Sequence, residues 1–293
     1  DFAIVTGVST GALIAPLAFL GPAWDERLTD AYVGGHAAEL LSFRRLGTAL
    51  GPSIFKGESL DALVETFVDQ EMVDAVAVEH LKGRRLLIAT TDLDSQRPSI
   101  WDMGEIARRG GSSAVEMFRL VLAASASLPG LFPPRLIHCE ADGQFFDELH
   151  VDGGVTTPLF ILPEALLHWL RVGRRLRRGR VHVLINTVID PSPRTTSPSL
   201  PGVLIRSFDT MLRVSYRQAL NVATTFCIGN NIPLSVASIP ARPAATANGS
   251  MLDFDTEAMK ASFEAGRAAA AKADFWKNPA VRLEPWEEFL NAL

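Results

Sequence analysis

Phe2-Ala3-Ile4-Val5-Thr6-Gly7-Val8-Ser9-Thr10-Gly11, followed by the apolar run Ala12 to Leu20, is the stretch on which the fold turns. Phe2 to Val5 reads as a short buried strand. Ala12 to Leu20 reads as a helix, with Pro16 in its first turns. Between them, Gly7-Val8-Ser9-Thr10-Gly11 is a G-x-S-x-G pentapeptide. A serine between two glycines at a strand-to-helix joint exposes its hydroxyl above a sheet. The turn is sharp, and bulky neighbours would block the approach of a substrate carbonyl. The helix that follows points its amino end at the serine, where free backbone N–H groups hold negative charge. Taken alone, the pentapeptide is equally a Gly/Ser turn joining a core strand to a core helix. Its setting, apolar strand before and apolar helix after, favours a nucleophile.

Working outward, helical spacing recurs over Glu58 to Gln70, through Leu60, Leu63, Val64 and Phe67, and again over Val73 to Leu81. Arg84 to Thr91 has the continuous apolar centre of a strand buried on both faces. Ser99 to Trp101 and Gln144 to Val151 read as further strands, with helices over Met103 to Arg109 and Ala114 to Ala124. Leu128-Pro129-Gly130 and Pro133-Pro134 force a loop. Later, Ile161 to Arg174 reads as helix, Arg180 to Val188 as a buried strand and Pro191 to Pro201 as a loop. Val203 to Ile228 is a long amphipathic helix, Leu234 to Ile239 a strand and Thr256 to Ala273 an Ala-rich helix. Strands that are apolar throughout and alternate with helices predict an α/β fold: three layers, α/β/α, around a mainly parallel central sheet. Neither a repeat nor a linker interrupts the pattern, so residues 1–293 are expected to form a single domain.

The composition narrows the function. A chain of 293 residues that is 47% hydrophobic supports a sizeable core. Lys and Arg number 28 against 33 Asp and Glu, a net charge of −5, which argues against nucleic acid as a partner. Cys139 and Cys227 stand far apart in no metal-like spacing. The first twenty residues lack the basic start of a signal peptide. Because the chain opens inside a strand without an initiator Met, it is expected to be a fragment or a processed chain. Any preceding signal or anchor is then out of view.

A serine nucleophile needs a base. In a Ser–His–acid esterase the histidine comes late, but no histidine follows His182. His182 lies in a buried-strand pattern and His168 on an apolar helix, so both read as structural. His150 shares a strand face with Asp152 and is kept as an alternative. Asp152 is the stronger candidate. It ends a strand and begins Asp152-Gly153-Gly154, and strand ends are where ligands sit in α/β sheets. A free Asp is a weak base, with a pKa near 3.9; burial in an apolar cleft would make it a better one. As a bland alternative, Asp-Gly-Gly is a turn.

Gly7-Val8-Ser9-Thr10-Gly11 together with Val151-Asp152-Gly153-Gly154 resembles the patatin-like phospholipases. Between these motifs, Ala89 to Leu93, Trp101-Asp102-Met103-Gly104 and Ala124 to Pro134 are similar to that family's blocks in the same order. The resemblance covers most of residues 1 to about 190, and the tail, including Phe254 to Trp276, is similar to a bacterial branch. It implies a lipid acyl hydrolase with Ser9 as nucleophile, Asp152 as proton acceptor, Thr10 N–H as an oxyanion donor, and no metal or cofactor. Gly7, Gly11, Gly153 and Gly154 are then the motif glycines. The family's first strand and glycine-rich oxyanion loop precede the serine and lie outside this chain, so the fragment alone is expected to be impaired. The implied substrate is a phospholipid or other fatty-acyl ester, with peripheral membrane contact and a cell-envelope or membrane-peripheral location. Six arginines between Arg171 and Arg180 could dock on anionic headgroups, or be the solvated end of a helix. A non-catalytic lipid-binding relative and a Ser–His–Asp esterase of the α/β-hydrolase type are the alternatives.

Overall fold

The computed structural model describes residues 2–36, 57–141, 143–161, 179–186, 195–238 and 256–279. All but the first residue of the helix expected over residues 161–174, most of the arginine-rich stretch, part of the loop over residues 191–201 and His168 lie outside them. Two compact units are present: Asp1–Phe160 with Ser250–Phe263, and Ile161–Gly249 with Glu264–Leu293.

The first unit is a five-stranded sheet with helices packed on it, an α/β arrangement in keeping with three layers. Strand β1 (Ile4–Gly7) leads into helix α1 (Thr10–Leu20), and α2 (Asp25–Val33) follows. Helices α3 (Gly57–Phe67) and α4 (Gln70–Leu81) precede β2 (Arg85–Asp92) and β3 (Arg97–Asp102). Helices α5 (Met103–Arg109) and α6 (Gly111–Ser125) then lead to β4 (Arg135–Ala141) and β5 (Gln144–Asp152). The core is continuous from Ala12, Ala15 and Phe19 of α1 through Leu60, Met72 and Val76 to Leu86 and Ile88 of β2 and Phe118 and Leu122 of α6. Asp69 caps α4 by accepting from Met72 N–H at 2.9 Å, and Asp102 caps α5 through Glu105 N–H at 3.1 Å. Each cap satisfies a donor that the helix itself cannot.

Strand direction departs from expectation. β1 runs parallel to β2, but β3 and β5 are antiparallel to β2, and β4 is antiparallel to β5. Among the described residues the sheet is therefore mixed, not mainly parallel. Two tight reversals cause this. Asp92 carboxylate oxygens accept from Asp94 N–H at 3.0 Å and Ser95 N–H at 3.3 Å, folding β3 back on β2. Gly143, at φ 74°, turns β4 into β5. The expected strand near Phe2 is shifted to Ile4–Gly7, and Phe2 and Ile4 are half-exposed because β1 pairs, among the described residues, with β2 alone.

The register explains where the site forms. β3 pairs with Leu87–Asp92, whereas β1 pairs with Arg85–Ile88 and β5 with Thr90–Asp92. A strand has two edges, so β1 and β5 share the one that β3 leaves free. Their C-terminal ends meet there head to head, with Gly7 opposite Ile88 and Asp152 opposite Thr90.

In the second unit β6 (Val181–Ile185) pairs in parallel with β7 (Leu234–Ser238), and the long helix α7 (Leu200–Gly229) connects them. Val183 and Ile185 are buried while His182 and Leu184 are exposed, so β6 is buried on one face only. Helix α8 (Thr256–Ala270) completes the described elements, with Thr256–Phe263 counted in the first unit and Glu264–Ala270 in the second. No described helix is long and apolar enough to cross a membrane.

Candidate active site

Ser9 follows β1 at the junction where β5 takes over the edge of β2. Its Oγ donates to Asp152 Oδ2 at 2.5 Å across 143 residues of sequence. The backbone at Ser9 has φ 58° and ψ −131°, a conformation that disfavours any side chain and costs on the order of 1–3 kcal/mol. Surrounding contacts hold it. Ser9 N–H donates to Ser125 Oγ at 3.1 Å, and the Ser125 hydroxyl donates to Ala89 C=O at 2.7 Å. Ser125 is fully buried, so strand β2 and the end of α6 together fix the elbow.

The motif glycines have different reasons for being there. A Cβ at Gly7 would lie 2.6 Å from Gly11 C=O and 2.8 Å from both Ala12 Cα and Ala15 Cβ. Gly7 therefore lets α1 lie directly on β1. At Gly153 a Cβ would overlap the Ala89 carbonyl. Gly154 turns its N–H onto Asp152 Oδ1 at 2.7 Å, and a Cβ there would crowd that same oxygen at 2.9 Å. Gly11 is different: a Cβ would meet nothing within 4 Å, so packing does not demand it and the first turn of α1 stays uncrowded. Thr10 opens that turn and is exposed, and the N–H groups of a first helical turn have no partner within the helix.

Asp152 is 1% exposed, and burial pushes its pKa up to about 6 against the opposing pull of the Ser9 hydroxyl and Gly154 N–H. Its backbone is held as firmly, with N–H donating to Ser127 C=O at 2.9 Å and C=O accepting from Thr91 Oγ1 at 3.0 Å. The pKa rise makes ionisation costly to the fold. Folded, the carboxyl titrates near 6; unfolded, near 3.8, so stability present below pH 3.8 is lost as pH climbs through 6. At 1.36 kcal/mol per unit the loss approaches about 3 kcal/mol. Asp152→Asn is accordingly expected to raise the unfolding midpoint at pH 8 and to leave it unchanged near pH 3.5. Denaturant melts at the two pH values check this.

His150, the alternative base, is fully buried and engaged elsewhere. Its Nδ1 pairs with Thr90 Oγ1 at 2.9 Å and its Nε2 with Glu148 Oε2 at 3.0 Å. Trp101 Nε1–H donates to the same Thr90 hydroxyl at 2.8 Å. Among the described residues no histidine hydrogen-bonds to Ser9. Nor are three or more His, Cys, Asp or Glu residues placed to hold a metal ion among them. Sequence reading missed Ser125, Ser127 and Thr91. Their signal was present as small polar residues in otherwise apolar segments, which burial permits only when hydrogen-bonded.

An α/β fold with a serine hydroxyl on a strand-to-helix elbow, in contact with a buried carboxylate, defines a recognisable class. The family model for patatin-like phospholipase matches residues 1–163, more than half of the chain and the main segment of the first unit. The chain belongs to the patatin-like phospholipase family, a family of lipid acyl hydrolases. Comparison with curated proteins gives no match.

Proposed function

We propose that the protein hydrolyses fatty-acyl esters of phospholipids or neutral lipids through a Ser9–Asp152 dyad and an acyl-serine intermediate. The observation that carries this reading is the 2.5 Å hydrogen bond from Ser9 Oγ to a buried Asp152 carboxylate. With its pKa near 6, Asp152 is about nine-tenths ionised at pH 7 and far more basic than an exposed aspartate.

In the first half-reaction Asp152 Oδ2 takes the Ser9 proton as Oγ bonds to the ester carbonyl carbon. The electron pair of the C=O bond moves to its oxygen, which faces Thr10 N–H and the amino end of α1. Collapse of the adduct breaks the bond to the alcohol, which leaves with the proton from Asp152. A water molecule then gives its proton to Asp152 and bonds to the acyl carbon; collapse of this adduct breaks the bond to Ser9 Oγ, which takes the proton back from Asp152 as the fatty acid leaves. Gly154 N–H holds the carboxylate in one orientation throughout. A non-catalytic lipid-binding role would leave unexplained why a carboxylate is buried at such cost against a strained serine.

The pH profile tests the role of the carboxylate. Because Asp152 must be ionised to accept a proton, kcat/KM on a soluble ester is expected to fall tenfold per pH unit below about 6 and to level off above it. A profile flat from pH 5 to 8 would exclude Asp152 as the base.

A further inference from the structure

The hairpin of β4 and β5 presents its largest apolar side chains to solvent. Phe145 is 81% exposed, Phe146 42% and Leu136 54%, while Val151 and Asp152, at the other end of β5, are buried. Phenylalanine is among the residues most often buried, so two adjacent exposed copies at a hairpin tip call for an explanation. The register supplies a direction. β5 pairs with β2 only over His150–Asp152, opposite Thr90–Asp92, and β2 ends there. Leu149 is still tied to the turn after β2, through Leu93 N–H and the Asp94 carboxylate. Residues 144–148 run on past the carboxyl end of β2 with β4 as their only strand partner among the described residues. Strand β1 delivers Ser9 at that same end of the sheet. The tip stands seven residues from Asp152, about 23 Å along the strand at 3.3 Å per residue.

We propose that this hairpin docks the protein on a zwitterionic phospholipid bilayer, with Phe145 and Phe146 entering the headgroup layer. The proposal rests on the lipid hydrolase reading above and names the surface from which that site draws its substrate. Charge selects the surface. Leu136 to Val151 contains no Lys or Arg. Glu140 faces Phe145 across the hairpin, Asp147 pairs with His138, and Glu148 pairs with His150. Such a tip is repelled by anionic lipid and tolerated by zwitterionic headgroups, leaving the aromatic rings to supply the attraction. Because β5 carries both the tip and Asp152, a docked hairpin holds the dyad at a set height above the headgroups.

The test uses the full-length protein and phosphatidylcholine vesicles. Phe145→Trp emission is expected to shift to the blue when vesicles are added. The double variant Phe145→Ser/Phe146→Ser is expected to lose at least tenfold in vesicle co-sedimentation and in hydrolysis of vesicle phospholipid. Its turnover of a soluble short-chain ester should stay within twofold of the parent. Unchanged vesicle binding in the double variant, or emission that ignores vesicles, overturns the proposal. So does a variant that turns a dimeric parent into a monomer with vesicle binding intact, since a second copy would then be the occupant. If the parent cleaves no ester, the hydrolase reading fails, while co-sedimentation, which needs no turnover, still decides the docking.

Discussion

Ser9→Ala and Asp152→Asn are each expected to reduce ester hydrolysis by a factor on the order of 10³ or more in the full-length protein. Ser9→Ala removes the atom that would form the acyl bond in the proposed mechanism, and the buried hydroxyls beside it are committed elsewhere. Ser125 Oγ is committed to Ser9 N–H and Ala89 C=O, and Thr91 Oγ1 to Asp152 C=O. Asp152→Asn keeps the shape: an amide oxygen can still accept from Gly154 N–H and the amide NH₂ can donate to Ser9 Oγ. What it loses is the capacity to take a proton. The two losses should not add, because in the proposed dyad each residue acts only through the other. A double variant with activity near that of either single variant is the expected result, read by initial rates on a soluble ester. Full activity in either single variant would remove that residue from the proposed role.

The second large effect comes from a residue with no functional group. Gly153→Ala places a methyl into the Ala89 carbonyl, and neither partner is a flexible side-chain end that could move aside. Ala89 is fully buried in β2, and its carbonyl also accepts the Ser125 hydroxyl. The relief must come from displacement of Asp152 and the turn behind it. A shift of about 1 Å at a reacting group costs about 10²-fold in rate, and overpacking of this kind costs about 1–3 kcal/mol in stability. Gly153→Ala is therefore expected to lose about two orders of magnitude in kcat and to unfold at lower denaturant. Gly11→Ala, which meets no neighbour, should leave stability nearly unchanged. Parallel denaturant melts and kcat measurements on the two variants separate the roles of glycines that look alike in sequence.

The contrast shows which parts of the molecule were legible beforehand. The strand-to-helix elbow could be read because Gly7 and Gly11 bracket a serine between two apolar segments, and the helix does begin at Thr10, directly after Ser9. Asp152 could be read because it ends an apolar strand at two glycines. Strand direction could not. β2 has a continuous apolar centre, which suits a parallel strand, yet it is also the pattern of a strand paired on both edges and covered by helices. The antiparallel β4 was overlooked, although Arg135 to Ala141 is followed by an Asp-Gly pair, a hairpin signal. The hydrogen bonds that hold the elbow were invisible for another reason. Ser125 and Ser127 reach Ser9 and Asp152 only once α6 ends against the junction of β1, β2 and β5, a long-range arrangement that no local pattern encodes.

The central claim is that Ser9 is an activated nucleophile by virtue of its contact with Asp152. Treatment of the full-length protein with a fluorophosphonate, followed by peptide mass spectrometry, tests it most directly. The account predicts a single stoichiometric adduct on Ser9, and strongly slowed labelling in Asp152→Asn. An unlabelled Ser9 in folded protein, or labelling at the parent's rate in Asp152→Asn, would contradict it.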